Sequence, residues 1–251
     1  MNIVACVKRV PTTEAEVKVS GDGKALDTTG LAYMISFYDE IALEEAVKTK
    51  EALGAGEVTV LTLGPADGTK EIRECLAKGA DKALVLKDDA WMTRDARSTA
   101  KALAAKLSEL NPDLVFMGRV ATDRDNAAVG PMTATYLGWA CVTDVVGLEL
   151  SGRDGKARVE TEHGVETVEF ALPAIITCNK GLNEPRYAGL KGIMAAKKKP
   201  LDEADALAVP NQANIVEIAL PPARKDGRIL GEGAAAVPAL IDALRNEAQV
   251  L

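Results

Sequence analysis

The chain has 251 residues, 47% hydrophobic and 27% charged, enough for the core of one large or two small domains, and at 4% aromatics that core must be built from Ala, Val, Leu and Ile. A net charge of −7 argues against a general nucleic-acid binder, and no apolar run reaches the roughly 18 residues that direct membrane insertion needs. With a single histidine, His163, metal sites and nucleophilic catalysis built on imidazole have little support.

The opening MNIVACVKRVP is no secretory signal, because its apolar stretch is short and runs into Lys8 and Arg9; the expected location is cytoplasmic. Asn2 to Val7 reads as a first strand, and Gly21-Asp22-Gly23 as a turn in a polar excursion. Ser36-Phe37-Tyr38-Asp39 has capping-box spacing and predicts a helix through Ile41, Leu43, Ala46 and Val47 to Leu53, stopped by Gly54. Glu44 and Lys48 are spaced for an i,i+4 pair on its wet side. Glu57 to Leu63 is a strand. Ile72, Cys75 and Leu76 mark the next helix, and Ala83 to Leu86 another strand. A helix over Asp95 to Leu110 is broken by Asn111-Pro112-Asp113, and Leu114 to Met117 is a buried strand ending at Gly118. Strands that are short apolar runs alternating with helices predict an α/β fold: a mostly parallel sheet with helices on both faces. After Gly138 the grammar changes to antiparallel hairpins, Thr143 to Leu150 and Lys156 to Glu162 around Asp154-Gly155, with Val168, Phe170 and Leu172 alternating. Ala174 to Cys178 is one more buried strand. Lys180 to Pro200 reads as a basic loop, 201–234 as an acid-, Pro- and Gly-rich tail with one strand-like piece at Ile215 to Leu220, and Ala235 to Ala248 as a closing helix. The four cysteines are widely spaced, without a CxxC, and read as small buried hydrophobes.

No P-loop, nucleophile elbow or HExxH is present. Gly231 to Ala236 formally fits GxGxxA but lacks a preceding strand, so a linker into the last helix suffices. The segment from Gly118 through Pro131 carries more. It follows a buried strand and opens a helix, predicted to start near Asn126, at the sheet edge where open α/β folds bind ligands. Free N–H groups at a helix start attract phosphate, and Ala127, Ala128 and Gly130 permit close approach. A plain βα loop is the alternative, and Asp123 and Asp125 read as solvated carboxylates before an acid/base pair. The segment Gly181 to Pro200 sets Leu190, Ile193 and Met194 among lysines. It reads either as a docking element or as a loop packed on its own domain.

The segment LNEPRYAGLKGIMAAKKKP resembles the recognition loop of the β subunit of electron-transfer flavoproteins. The resemblance runs through IVACVKRVP, SFYDEIALEEA, LGPADGTKEIRECLAKGADKA, GRVATDRDNAAVGPMTATYLGWA, VETVEFALPAIIT and VEIALPPARKDGRILGEG, essentially the whole chain. It implies an adenine-nucleotide α-hydrolase-like fold and a heterodimer with a larger α subunit that holds most of a redox-active FAD. The β subunit would bind a second nucleotide, usually AMP. The pair would take electrons from acyl-CoA dehydrogenases and related enzymes and pass them to a membrane quinone oxidoreductase. Carried over by position, the nucleotide site is Ala5, then Ser36, Phe37, Tyr38 and Asp39, then Leu63. It continues through Asp123, Arg124, Asp125, Asn126, Ala127, Ala128, Val129, Gly130, Pro131, Met132, Thr133 and Ala134. Tyr38 would face the flavin. Leu190, with Ile193, Met194, Lys197 and Lys198, would meet the dehydrogenase.

Two departures bear on the occupant. Ser36-Phe37 stands where the family has Asn-Pro, and Val129-Gly130-Pro131 resembles members that hold a second FAD and bifurcate electrons. Arg124 and Asn126 to Ala128 differ from those members, and the Lys-Lys-Lys loop ending is that of plain carriers; AMP is favoured. A stand-alone adenine-nucleotide-binding protein is the competing class, against which the tail is expected to pack on another chain. The expected organisation is an α/β domain over 1–200, containing the recognition loop 181–199, and a C-terminal arm over 201–251.

Overall fold

The computed structural model describes residues 1–224 and 226–251; Lys225, inside the tail motif quoted above, lies outside the described residues. The chain runs β1 (Asn2–Cys6), β2 (Arg9–Pro11), β3 (Lys18–Val19), β4 (Leu26–Asp27), β5 (Tyr33–Ile35), α1 (Phe37–Leu53), β6 (Glu57–Gly64), α2 (Thr69–Ala77) and β7 (Lys82–Lys87). It continues with α3 (Ala96–Leu110), β8 (Leu114–Gly118), α4 (Val129–Leu137), β9 (Ala140–Ser151), β10 (Asp154–Thr161), β11 (Gly164–Ala171), β12 (Ala174–Cys178), α5 (Leu190–Ala196), β13 (Leu201–Asp205) and α6 (Val237–Asp242).

The main sheet has the order β11-β10-β9-β12-β8-β1-β6-β7-β13. From β9 to β13 every pairing is parallel, while β10 and β11 add antiparallel hairpins at one edge. Because side chains alternate along a strand, β1 sends Ile3 and Ala5 to a core shared with α1 and α2, and Val4 and Cys6 to a core shared with α3 and α4. The expected parallel sheet with helices on both faces is what forms. Aliphatic side chains fill it; Phe116 is the one ring among the largest fully buried side chains.

Local rules explain most boundaries. α1 ends at Gly54, whose φ of 67° belongs to the left-handed region that terminates helices. α3 begins at Asp95, whose side chain accepts the N–H of Ser98, and ends at a left-handed Asn111. Four details differ from the sequence expectations. Glu44 does not pair with Lys48 on a wet face: it is buried, with both its oxygens on Arg186. The hairpin turn falls at Gly152, φ 63°, and Gly155 sits inside β10 because the Phe170 ring occupies the space its side chain would need. The basic loop contains a two-turn helix, α5. Residues 201–205 join the main sheet as β13, while Ile215–Leu220 forms no strand.

Two compact units are present, Met1–Ile218 and Ala219–Leu251. The second consists of extended chain and the helical stretch containing α6, and it exposes Leu220, Ile229, Leu240 and Leu251. Among the described residues no helix is long and apolar enough to cross a membrane, and no group of three or more His, Cys, Asp or Glu could hold a metal ion. Cys6, Cys75 and Cys178 are buried as expected, and burial pushes all three thiols up; Cys141 is exposed.

Candidate functional site: a crevice where the sheet changes direction

The chain leaves β1 through α1 towards β6 and β7, then returns through α3 to β8 on the opposite side of β1. The carboxyl ends of β1 and β8 therefore part at a topological switch point, the place where open α/β sheets bind ligands. A crevice lies there, walled by Val7 and Lys8 after β1, Gly118 at the end of β8 and Arg119 to Ala121 after it, Asn126 to Gly130 at the head of α4, and the apolar set Leu61, Leu63, Trp91, Leu103 and Met117.

Two residues with the spacing of a capping box hold this crevice open. Ser36 caps no N–H of its own helix. Its hydroxyl donates to the Val120 carbonyl at 3.5 Å and accepts the Thr122 N–H at 3.3 Å. Asp39 spans the switch point: one carboxylate oxygen accepts the N–H of Lys8 at 2.8 Å and the other that of Gly118 at 2.8 Å. The two parted strands are thus bolted through one buried side chain. Gly118 is required here, since a Cβ would stand 2.5 Å from the Asp39 Oδ1 and 2.9 Å from its backbone nitrogen. Burial pushes the Asp39 carboxyl up to about 7, against the two N–H donors and Lys8, which favour the charged form, and with nearby Asp123, which does not. Lys8 in turn holds both oxygens of Asp123 at 2.6 and 2.7 Å. Asp125 is exposed, with φ 54°. One carboxylate is ion-paired and the other solvated, so they form no acid/base pair.

The helix α4 begins at Val129, three residues later than the sequence suggested, because Asp125 and Ala127 take positive φ and keep 121–128 as a loop. The early N–H groups of an α-helix have no intrahelical acceptor. Pro131 has no N–H, so the amides of Val129 and Gly130, both lining the crevice, form the open end. Gly130 also seats the helix on the sheet: a Cβ there would lie 2.7 Å from the Thr177 methyl carbon. Open amides beside an apolar wall suit a phosphate joined to an aromatic base, and the donor set fits a mononucleotide.

Of the residues picked from the sequence, Asp39, Leu63, Arg124, Asn126, Ala127, Ala128, Val129 and Gly130 line the crevice. Ala5 is buried in β1 on the α1 side, and Ser36 acts from below as a bolt. Phe37 is exposed and stacks edge-on against half-buried Tyr38. Pro131, Met132, Thr133 and Ala134 run on down α4, where Thr133 donates to the Val129 carbonyl and Ala134 packs in the core. Arg124 does not point a free charge into the crevice: its guanidinium donates to the backbone carbonyls of Met92 and, at 2.9 Å, Arg94. Lys8, Trp91, Arg94 and Met117 also line it, and no motif in the sequence marks them. A tryptophan in the otherwise polar stretch after β7 was the one available signal.

The segment 181–199 lies over α1 and α2. Arg186 grips Glu44 and Glu51, and Asn183 donates to the Ile41 carbonyl and Glu45. Gly192 rests on α2, where a Cβ would collide with the Ala77 carbonyl oxygen. Leu190 is 76% exposed and Met194 64%, with Ile193, Lys197 and Lys198 also exposed. Lys199 is different: its ammonium donates to the carbonyls of Leu76 and Ala80 at the end of α2.

The chain matches the family model of the electron transfer flavoprotein domain over residues 24–209. It is 38% identical over 255 residues to the electron transfer flavoprotein subunit beta of Bradyrhizobium diazoefficiens and 36% identical over 260 residues to that of Bacillus subtilis, covering all of each chain. It is 36% identical over 257 residues to the mitochondrial subunit beta of Oryza sativa subsp. indica, again over the full length of both. With a parallel sheet, a crevice at its switch point and full-length likeness to these relatives, the chain belongs to the electron transfer flavoprotein family, as a β subunit.

Proposed function

We propose that this chain is one half of an electron carrier and not a free-standing enzyme. In this reading a larger α subunit holds FAD, which supplies the electron-accepting chemistry when bound, and this chain adds a wall near the flavin through Tyr38. The crevice holds AMP as a structural nucleotide, its phosphate at the amides of Val129 and Gly130. The observation that carries this is the preformed crevice at the switch point, with an open helix end on one side and apolar side chains on the other. The unit Ala219–Leu251 exposes apolar side chains and lies on the α subunit, which it needs as a surface. Leu190 meets acyl-CoA and related dehydrogenases as an apolar anchor, with Ile193 and Met194 beside it and Lys197 and Lys198 steering. The electrons pass on to a membrane quinone oxidoreductase, and the location is cytoplasmic.

The test is mass spectrometry of nucleotide released from the purified complex, beside a visible spectrum of this chain expressed alone. One AMP and one FAD per heterodimer, and no stoichiometric flavin on the isolated chain, is the expected result. Two FAD and no AMP would replace the carrier reading with electron bifurcation. A full flavin spectrum on the chain alone would remove the need for a partner.

A further inference from the structure

Trp91 stands in the crevice wall on a single 3₁₀ turn, Trp91–Thr93. The turn is pinned from several sides. The Trp91 and Thr93 N–H groups donate back to the Asp88 and Ala90 carbonyls, and Asn211 donates to the Thr93 carbonyl at 2.8 Å. The Arg124 guanidinium reaches from the loop before α4 to the carbonyls of Met92 and Arg94, tying this wall to the opposite one. The indole is backed by a second ring: Tyr33 lies 6.1 Å away, centroid to centroid, at 60°. Behind Tyr33, the Arg9 guanidinium carbon sits 3.9 Å over the ring, and Glu71 forms an ion pair with Arg9, 3.2 Å from its Nε but without hydrogen-bond geometry. Half-buried against the core shared with α3 and α4, Trp91 still lines the open crevice.

We propose that Trp91 is the platform on which the nucleotide's base stacks, with the base at the Trp91 wall and the phosphate at the head of α4. The inference rests on the reading of the crevice as a mononucleotide site and adds its orientation and its principal base contact. The chemistry of the two walls fixes the polarity: the α4 side offers backbone amides, and the other offers Trp91 with Leu61, Leu63 and Leu103, while the Arg94 guanidinium there is taken up by Asp88 and the Ser98 and Leu207 carbonyls. An indole face accepts any base, because every base has a π-face. The grip on the base is therefore aromatic and tolerant, while the phosphate end supplies the directional hydrogen bonds.

The experiment uses the full chain in a Trp139→Phe background, which leaves Trp91 as the one indole. AMP, adenosine and ribose 5-phosphate are titrated while Trp91 emission is recorded, and affinities are measured by equilibrium dialysis. AMP and adenosine should quench Trp91, and ribose 5-phosphate should bind without quenching. In the chain with the indole at 91 exchanged, Trp91→Leu should weaken AMP about tenfold or more, the range of losing one base–aromatic stack, and leave ribose 5-phosphate unchanged. Trp91→Phe should keep most of the AMP affinity. Equal quenching by AMP and ribose 5-phosphate, or equal loss of both ligands in Trp91→Leu, would overturn the platform. If Trp91→Leu does not fold, the quenching pattern of the parent and the affinity of Trp91→Phe decide. Unaltered AMP binding by Trp91→Leu would overturn the platform while leaving the nucleotide site standing. Failure of the parent chain to bind AMP at all would remove the site and the platform together.

Discussion

Helices α4 and α5 are both short, both rest on a neighbour through a glycine, and offer opposite things to the outside. α4 sets Gly130 against Thr177 and brings its first residues, Val129 and Gly130, to the wall of the crevice. α5 sets Gly192 against the Ala77 carbonyl and turns Leu190 and Met194 out to solvent. In the proposed reading one is a site built from backbone, the other a site built from side chains. A backbone site depends on where the helix sits and hardly on which side chains it carries. A side-chain site can be altered without the fold noticing.

The glycines test this contrast most severely. Gly130→Val should drive α4 off the sheet at a cost of about 3 kcal/mol, roughly 6–12 °C in Tm for a domain of this size. Bound nucleotide should be lost with it. Gly192→Val should lift α5, cost less because the helix can move outward, and reduce dehydrogenase-dependent flavin reduction while nucleotide content stays at one per chain. If both variants lose both properties, the two regions are not separable. Leu190→Ala comes next: electron transfer from the dehydrogenase should slow about tenfold, the scale of one buried leucine. The melting curve should hold within about 0.5 kcal/mol, as for an exposed residue. A clear drop in Tm would mean that Leu190 packs inward.

The pH dependence of the crevice has a definite sign. Asp39 is raised by burial from 3.8 to about 7 in the folded chain. Between those values the folded state holds a proton that the unfolded state has released, so this group's contribution to stability falls as pH rises from about 4 to about 7. The slope is at most about 1.4 kcal/mol per pH unit. The stability of the natural chain relative to Asp39→Asn should therefore grow on going from pH 7 to pH 5. A flat difference would show that burial does not control this carboxyl. The smallest effect is Arg124→Ala, which removes two hydrogen bonds between the crevice walls. It should cost about 1 kcal/mol in stability and weaken nucleotide binding several-fold by freeing the turn that carries Trp91.

Much of the fold was readable because its strands are apolar runs between clear stop signals, as in Leu114 to Gly118 followed by a polar loop. The spacing of turn residues also places the hairpins, though Asp154-Gly155 has the pattern of a turn while Gly155 is small for the sake of Phe170. What escaped depends on contacts across the chain. Ser-x-x-Asp is the signature of a cap, and whether Ser36 and Asp39 cap or bolt is decided by Val120, Gly118 and Lys8, which no local pattern brings near. Glu44 looked solvated because the residue that covers it, Arg186, is 142 positions away. In the crevice, the α4 loop was visible as strand, small residues and helix. Trp91 was not, since nothing in a polar stretch says which way an indole turns.

The hold of Arg186 on Glu44 and Glu51 has a consequence for rates. Fixing one residue of a free loop costs roughly 1–2 kcal/mol of backbone entropy, and a mobile segment meets that cost at each encounter. Here folding itself orders 181–199, through Arg186, Asn183 and Lys199. Whatever lands on α5 has only the rotamers of a few side chains left to freeze. In the docking role proposed for α5, contact is then brief and frequent: a small apolar tip on a stiff mount captures on arrival and releases without any refolding, which suits a shuttle that must leave as readily as it docks.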